Sequence, residues 1–254
     1  MRKPTPRTIL GTLLLGLAVA ALGVTLLLAG LYRYGLTLVP EGARSSASPA
    51  PPPLVEAAIW ARFGGSGEPH LRRMTPWSFV ALRVCRLTAG TFRFTESRDT
   101  CLRFHSGISV ASATSHEHIE ALGPLSAVRH DLGEAATAAW MTRNRSAAEV
   151  LADLATSADW GHGWHGIDEA AGGFFGKTAA DLSAAEAALL AAALADRESH
   201  SLATDPSCRP SEARQARDRV LRRMTLNTVL TERQLETALA SPLGTQKRAC
   251  SPEE

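Results

Sequence analysis

Lysine is nearly missing from this 254-residue chain; it occurs only at positions 3, 177 and 247, and the other basic residues are arginines. No serine stands three residues ahead of any of them, which excludes an acyl-transferring Ser-x-x-Lys site. The net charge of +2 is too small to argue for a nucleic-acid partner. Cysteine is sparse as well. The four residues at 85, 101, 208 and 250 permit three full pairings, and the sequence does not choose among them. Complete metal motifs are also absent. His116-Glu-His-Ile-Glu120 and the pair His162/His165 do not form His-Glu-x-x-His, and nothing in the spacing fixes a third or fourth ligand. They read as solvated polar residues, with no metal ligand assigned. Gly161-His-Gly-Trp-His-Gly166 spells Gly-x-Gly-x-x-Gly, but a helical pattern precedes it where a dinucleotide site needs a strand. It reads as a flexible connection between helices.

One long apolar run is present. Residues 9–32 carry no charge and are long enough to cross a hydrocarbon core of about 30 Å. Arg2, Lys3 and Arg7 precede it, so residues 1–8 read as a basic cytoplasmic tail and the remainder as lying on the extracytoplasmic, periplasmic side. The run exceeds the apolar stretch of about 7 to 15 residues expected of a cleaved signal peptide, which favours an uncleaved single-pass anchor. Residues 33–53 end in a Pro/Ser/Ala-rich tract from position 40, expected to be semi-extended and to set the folded part off the membrane. A domain then spans residues 54–244, and residues 245–254 form a polar tail. Outside the cell membrane, disulfides are permitted.

The domain reads as mainly α. Ser146 and Ser183 are each followed three residues later by Glu149 and Glu186, and Thr231 by Gln234, the reciprocal capping pattern of a helix start. From Ser183 to Ala195 the sequence is Ala and Leu almost all round. A helix without a polar face belongs in a core, and this one is too short to span a bilayer. Upstream, residues 54–63 and 78–87 read as helices and 91–95 as a short extended piece. The arginines at 209, 214, 217, 219, 222 and 223 surround a helix with Val220, Leu221 and Met224 on its apolar side. They read as a solvated face, with attraction for anionic headgroups or pyrophosphate as the alternative.

Several blocks in order resemble the peptidoglycan glycosyltransferase (transglycosylase) family 51 domain of penicillin-binding proteins and monofunctional transglycosylases. Ser146-Ala-Ala-Glu-Val-Leu-Ala-Asp-Leu-Ala-Thr156 is similar to the family's Ser-Lys-x-x-Ile-Leu-Glu-x-Tyr-Leu-Asn. Gly166-Ile-Asp-Glu-Ala-Ala-Gly-Gly-Phe-Phe-Gly-Lys177 is similar to Gly-Ile-x-x-Ala-Ala-x-x-Tyr-Phe-Gly-Lys, and Leu182-Ser-Ala-Ala-Glu-Ala-Ala-Leu-Leu-Ala191 to the block that follows it. Arg217-Asp-Arg-Val-Leu-Arg-Arg-Met224 and the end at Ala240 to Gly244 extend the likeness over residues 126–244. The family's catalytic block Glu-Asp-x-x-Phe-x-x-His-x-Gly is met only by Arg98-Asp-Thr-Cys-Leu-Arg-Phe-His-Ser-Gly107, with Arg98 where the Glu belongs. No counterpart of the Gly-Gly-Ser-Thr-Ile-Thr-Gln-Gln block is found.

The resemblance implies a lysozyme-like helical fold behind the transmembrane helix, with lipid II as glycosyl donor and acceptor in cell-wall synthesis. It implies Mg²⁺ as a cofactor, and lipid II or glycan strands, the membrane and other cell-wall synthesis proteins as partners. Aligning Ser146 with the family's serine puts Glu134 on the carboxylate of its Arg-Lys-x-x-Glu block, while His130 and Asp131 occupy the Arg-Lys positions and Arg129 is one residue off. Glu134 is therefore the first candidate catalytic residue. Glu68 and Glu96 are the carboxylates near the missing base, and Arg129 and Lys177 are the candidate substrate-binding cations. The alternative is an inactive homologue that binds lipid II or serves cell-wall assembly.

Overall fold

The computed structural model describes residues 6–45, 47–75, 77–78, 81, 84, 95–194, 206 and 208–246, without the side chains of 6–10, 12–13 and 95–105. The chain is mostly helical, with no strand among the described residues and an apolar helix at the N-terminus. The helices are α1 (Pro6–Leu36), α2 (Glu41–Ser45), α3 (Pro53–Arg62), α4 (Thr95–Glu120), α5 (Ala127–Asn144), α6 (Ala147–Ser157), α7 (Ile167–Phe175), α8 (Ala184–Ala193), α9 (Pro210–Leu226) and α10 (Glu232–Ala240).

Helix α8 sits at the centre. Residues 185 and 187–193 are all buried, as an unbroken Ala/Leu surface requires, and small alanines let neighbouring backbones approach closely. Helices α9 and α3 pack on it, and α9 also packs on α3 and α10. The buried side of α9 is Ala213, Ala216, Arg217, Val220, Leu221 and Met224, a run at spacings of three and four that marks one helical face. All three capping boxes form. In each, the hydroxyl of Ser146, Ser183 or Thr231 accepts the amide three residues on, while the Glu149, Glu186 or Gln234 side chain accepts the cap's own amide.

Two arginines of α9 depart from the solvated face expected of them. Arg217 is fully buried, and donates to the carbonyls of Leu239 and Ser241 at the end of α10 as well as to Asp218. Arg223 donates to the carbonyls of Ala61 and Arg62 at the end of α3. A helix leaves its last carbonyls unpaired and carries partial negative charge there, so a guanidinium at that point satisfies both. Arg209, Arg214, Arg219 and Arg222 are exposed.

The segment after α1 also differs from expectation. Residues 41–45 are helical where a semi-extended linker was expected, and Val39 and Ala43 are buried. Arg44 donates to the Leu36 carbonyl, and Thr156 donates to Ser48. The tract lies against the domain because its few apolar side chains find a surface there, a tertiary effect that composition cannot carry. The apolar helix is also longer than the uncharged run, with Leu14–Leu36 long and apolar enough to cross a membrane. The helix expected over 78–87 falls largely outside the described residues, as does the extended piece at 91–94, while Thr95 opens α4.

Candidate functional site

Helices α4 and α5 form an antiparallel pair joined by a short turn through Gly123, whose positive φ of 79° suits glycine. Ser112, His116 and Glu120 recur every four residues along α4, so they share one face. His130 and Glu134 have the same spacing on α5. The antiparallel register brings the two faces together in levels. Glu120 Oε1 lies 2.7 Å from His130 Nε2, the His116 and His130 rings meet edge to face with centroids 5.8 Å apart, and Ser112 Oγ donates to Glu134 Oε1 at 3.3 Å. His130 Nδ1 is 4.0 Å from Glu134 Oε2 and 3.8 Å from Asp131 Oδ1. Glu134 is only 4 % exposed, His116 and His130 are half-buried, and Glu120 reaches solvent.

The end of α1 meets α5 beside this cluster. A Cβ on Gly35 would lie 2.7 Å from Ala136 Cβ and 3.0 Å from the Leu132 carbonyl, and one on Gly133 would lie 3.6 Å from Leu38 Cβ. Arg143 caps the contact from above, its guanidinium 5.0 Å from the centre of the Tyr32 ring. Residues 132–136 of α5 thus touch the last turns of the apolar helix.

A second polar group lies on another side of α4. Asp153 is buried and accepts from Arg145 Nη1 at 2.7 Å, with His118 Nε2 at 2.9 Å. Nearby, burial pushes the Glu117 carboxyl above the ordinary carboxylate range. The Asp159 amide acts against this rise and the Asp159 charge adds to it. Asp159 opens the glycine-rich connection, which is held by a bridge to His165 and by the Trp160 amide donating to the Trp164 carbonyl at 2.9 Å. This ordered turn stands where a flexible connection was expected.

The structure does not bring the other sequence candidates to Glu134. Glu68 is exposed in the loop after α3. The Glu96 side chain lies outside the described residues. Arg129 is exposed on the first turn of α5. Lys177 pairs with Glu186 at 2.7 Å. Partial burial pulls the Glu186 carboxyl upward, but bonds from Lys177 and from the Ser183 amide and hydroxyl outweigh it and hold it below its ordinary range. Ser112 was not singled out in the sequence, His116 and Glu120 were read there as solvated polar residues, and His130 only as the occupant of a basic position. Their signal was the four-residue spacing repeated on two consecutive helices.

Mg²⁺, which the resemblance implies, favours near-octahedral oxygen coordination and keeps several waters. The cluster offers two imidazole nitrogens and one buried carboxylate. That donor set does not fit Mg²⁺ held by the protein alone.

Residues 119–225 match the family model described as Transglycosylase. The match runs from the end of α4 through α9 and contains His130 and Glu134, while Ser112 and His116 lie ahead of it. The transglycosylase resemblance read from the sequence blocks therefore holds over this stretch. The helical architecture agrees with the lysozyme-like fold it implies. Residues 119–225 are thus similar to a transglycosylase domain. No curated protein matches the chain.

Proposed function

We propose that this chain is a membrane-anchored peptidoglycan glycosyltransferase-like protein that takes lipid II on the outer face of the cell membrane. One observation carries this reading: the helix that presents Glu134 is the helix on which the apolar anchor docks. Lipid II carries its diphosphate at the membrane surface. A carboxylate and imidazole beside the anchor's end are within reach of that part of the substrate. Glycosyl transfer needs a base for the acceptor hydroxyl and favourable charge at the departing diphosphate. His130, one helical turn from Glu134, stands where the family has a basic residue and would carry donor contacts to phosphate oxygens. Glu134, held by Ser112, would orient that group. The base would come from an upstream carboxylate, with Glu96 in the first turn of α4 and Glu68 ahead of that helix as the candidates.

A second reading has its own support. Glu134 is nearly closed to solvent, and Arg98 occupies the position of the family's catalytic Glu. Both favour a homologue that holds lipid II without polymerising it.

The test offers labelled lipid II to the purified anchor-containing protein and scores glycan chains and bound lipid separately. Polymer that falls at least about 100-fold in Glu134→Gln, the scale of losing one positioned group in a transfer site, supports the enzyme. Binding without polymer supports the holding module. Neither binding nor polymer sinks both readings.

A further inference from the structure

We propose that His116, His130 and Glu134 form a three-ligand site for a divalent transition-metal ion of the zinc class, with Glu120 orienting His130. The candidate ligand atoms all lie within 4.8 Å of one another, on two helices whose packing fixes them. Ligand atoms around a tetrahedral zinc ion are separated by about 3.4 Å, given bond lengths of about 2.0 to 2.2 Å. A contraction of up to about 1.4 Å, by rotation of the half-buried imidazoles, would close the site.

The tautomer argument points the same way. When Glu120 accepts the Nε2 proton of His130 at 2.7 Å, the neutral ring presents its lone pair at Nδ1. That lone pair then faces Glu134 Oε2 at 4.0 Å and Asp131 Oδ1 at 3.8 Å. Glu134 thus lies on the side of that lone pair, and His116 is the third member of the cluster. A carboxylate behind a histidine is the usual support of a metal-bound imidazole, fixing its orientation and raising its basicity. Ser112 plays the same part for Glu134 by holding Oε1. Two nitrogens and one oxygen suit Zn²⁺, Co²⁺ or Ni²⁺ rather than Mg²⁺, and three protein ligands leave one position open. This rests on the proposed function only for its use: an ion held here would add positive charge at the diphosphate end and would take over from the His130 imidazole the contact to the phosphate oxygens.

The experiment uses the full chain in detergent, stripped with a chelator and then titrated with Zn²⁺ against a chromophoric competitor. Mg²⁺ serves as the comparison ion and Co²⁺ as the spectroscopic probe. One equivalent of Zn²⁺ is expected, no competition from Mg²⁺ at equal concentration, and intense tetrahedral visible bands with Co²⁺. His116→Ala and His130→Ala should each lose that binding, and His162→Ala should keep it. Glu120 is on the surface, so Glu120→Gln folds irrespective of the others and should weaken Zn²⁺ about 10- to 100-fold. No uptake by the unsubstituted protein, uptake unchanged in Glu120→Gln, or pale six-coordinate Co²⁺ bands would overturn the proposal. Lipid II binding measured on the same stripped samples separates the two ideas. Lipid II bound by a protein that takes no zinc removes only the metal site. Zinc taken up by a protein that ignores lipid II removes only the function.

Discussion

Asp153 and Glu117 sit on neighbouring helices in different electrostatic settings. Asp153 is buried between Arg145 and His118. Removing a cation from a buried pair leaves the other charge uncompensated, so Arg145→Ala should cost about 3 to 5 kcal/mol, read as a drop in denaturation midpoint. A loss below about 1 kcal/mol would mean that His118 alone suffices. At Glu117 burial outweighs the Asp159 amide and the His165 charge, and its carboxyl is raised. A group that binds its proton more tightly when folded contributes stability below its unfolded value and loses it as pH climbs through the raised folded value. Stability should therefore fall on that limb, and Glu117→Gln should flatten it in thermal melts across the acid range. An unchanged slope would contradict the assignment. Neither residue stood out in the sequence. Asp153 is one carboxylate within an apolar run, and its partners lie 8 and 35 positions away.

Helices, unlike side-chain roles, were legible where local chemistry decides them. The three capping boxes at Ser146, Ser183 and Thr231 and the all-apolar stretch of α8 need only neighbours in sequence, and all appear as expected. The tract after α1 was not legible, because the burial of Val39 and Ala43 is tertiary, with α2 packed on α4. The same holds for Arg217 and Arg223, which look like surface charge until α10 and α3 end beside them. Glu134 was singled out from block spacing. Its companions on α4 were not, since pairing residue 116 with residue 130 needs the antiparallel turn at Gly123. One element-scale consequence concerns Gly35. Its missing side chain lets α1 approach Ala136 and the Leu132 carbonyl. Gly35→Val should push the anchor off α5, and a spin-label distance between Tyr34→Cys and Thr137→Cys probes would lengthen and broaden. A distance unchanged from that of the same pair with Gly35 intact would show that the contact does not depend on the glycine.

At the scale of the molecule, an apolar helix long enough to cross a bilayer ends directly on the helix that carries the carboxylate and imidazole cluster. The expected spacer is instead folded against the domain, beside the end of the apolar helix. Such an arrangement suits a substrate whose reactive diphosphate lies at the lipid surface. The match over residues 119–225 takes in only the end of α4. The part of α4 ahead of it supplies Ser112 and His116, which were matched to no family block. The most direct measurement places the full chain in a lipid bilayer with a photoreactive lipid II whose label is next to the diphosphate, and maps the cross-linked peptides by mass spectrometry. The account predicts labelling concentrated on the facing parts of α4 and α5, between residues 106 and 134, and competed by unlabelled lipid II. Labelling confined to α9 and α10, or none above that given by a photoreactive lipid without the disaccharide, would contradict it.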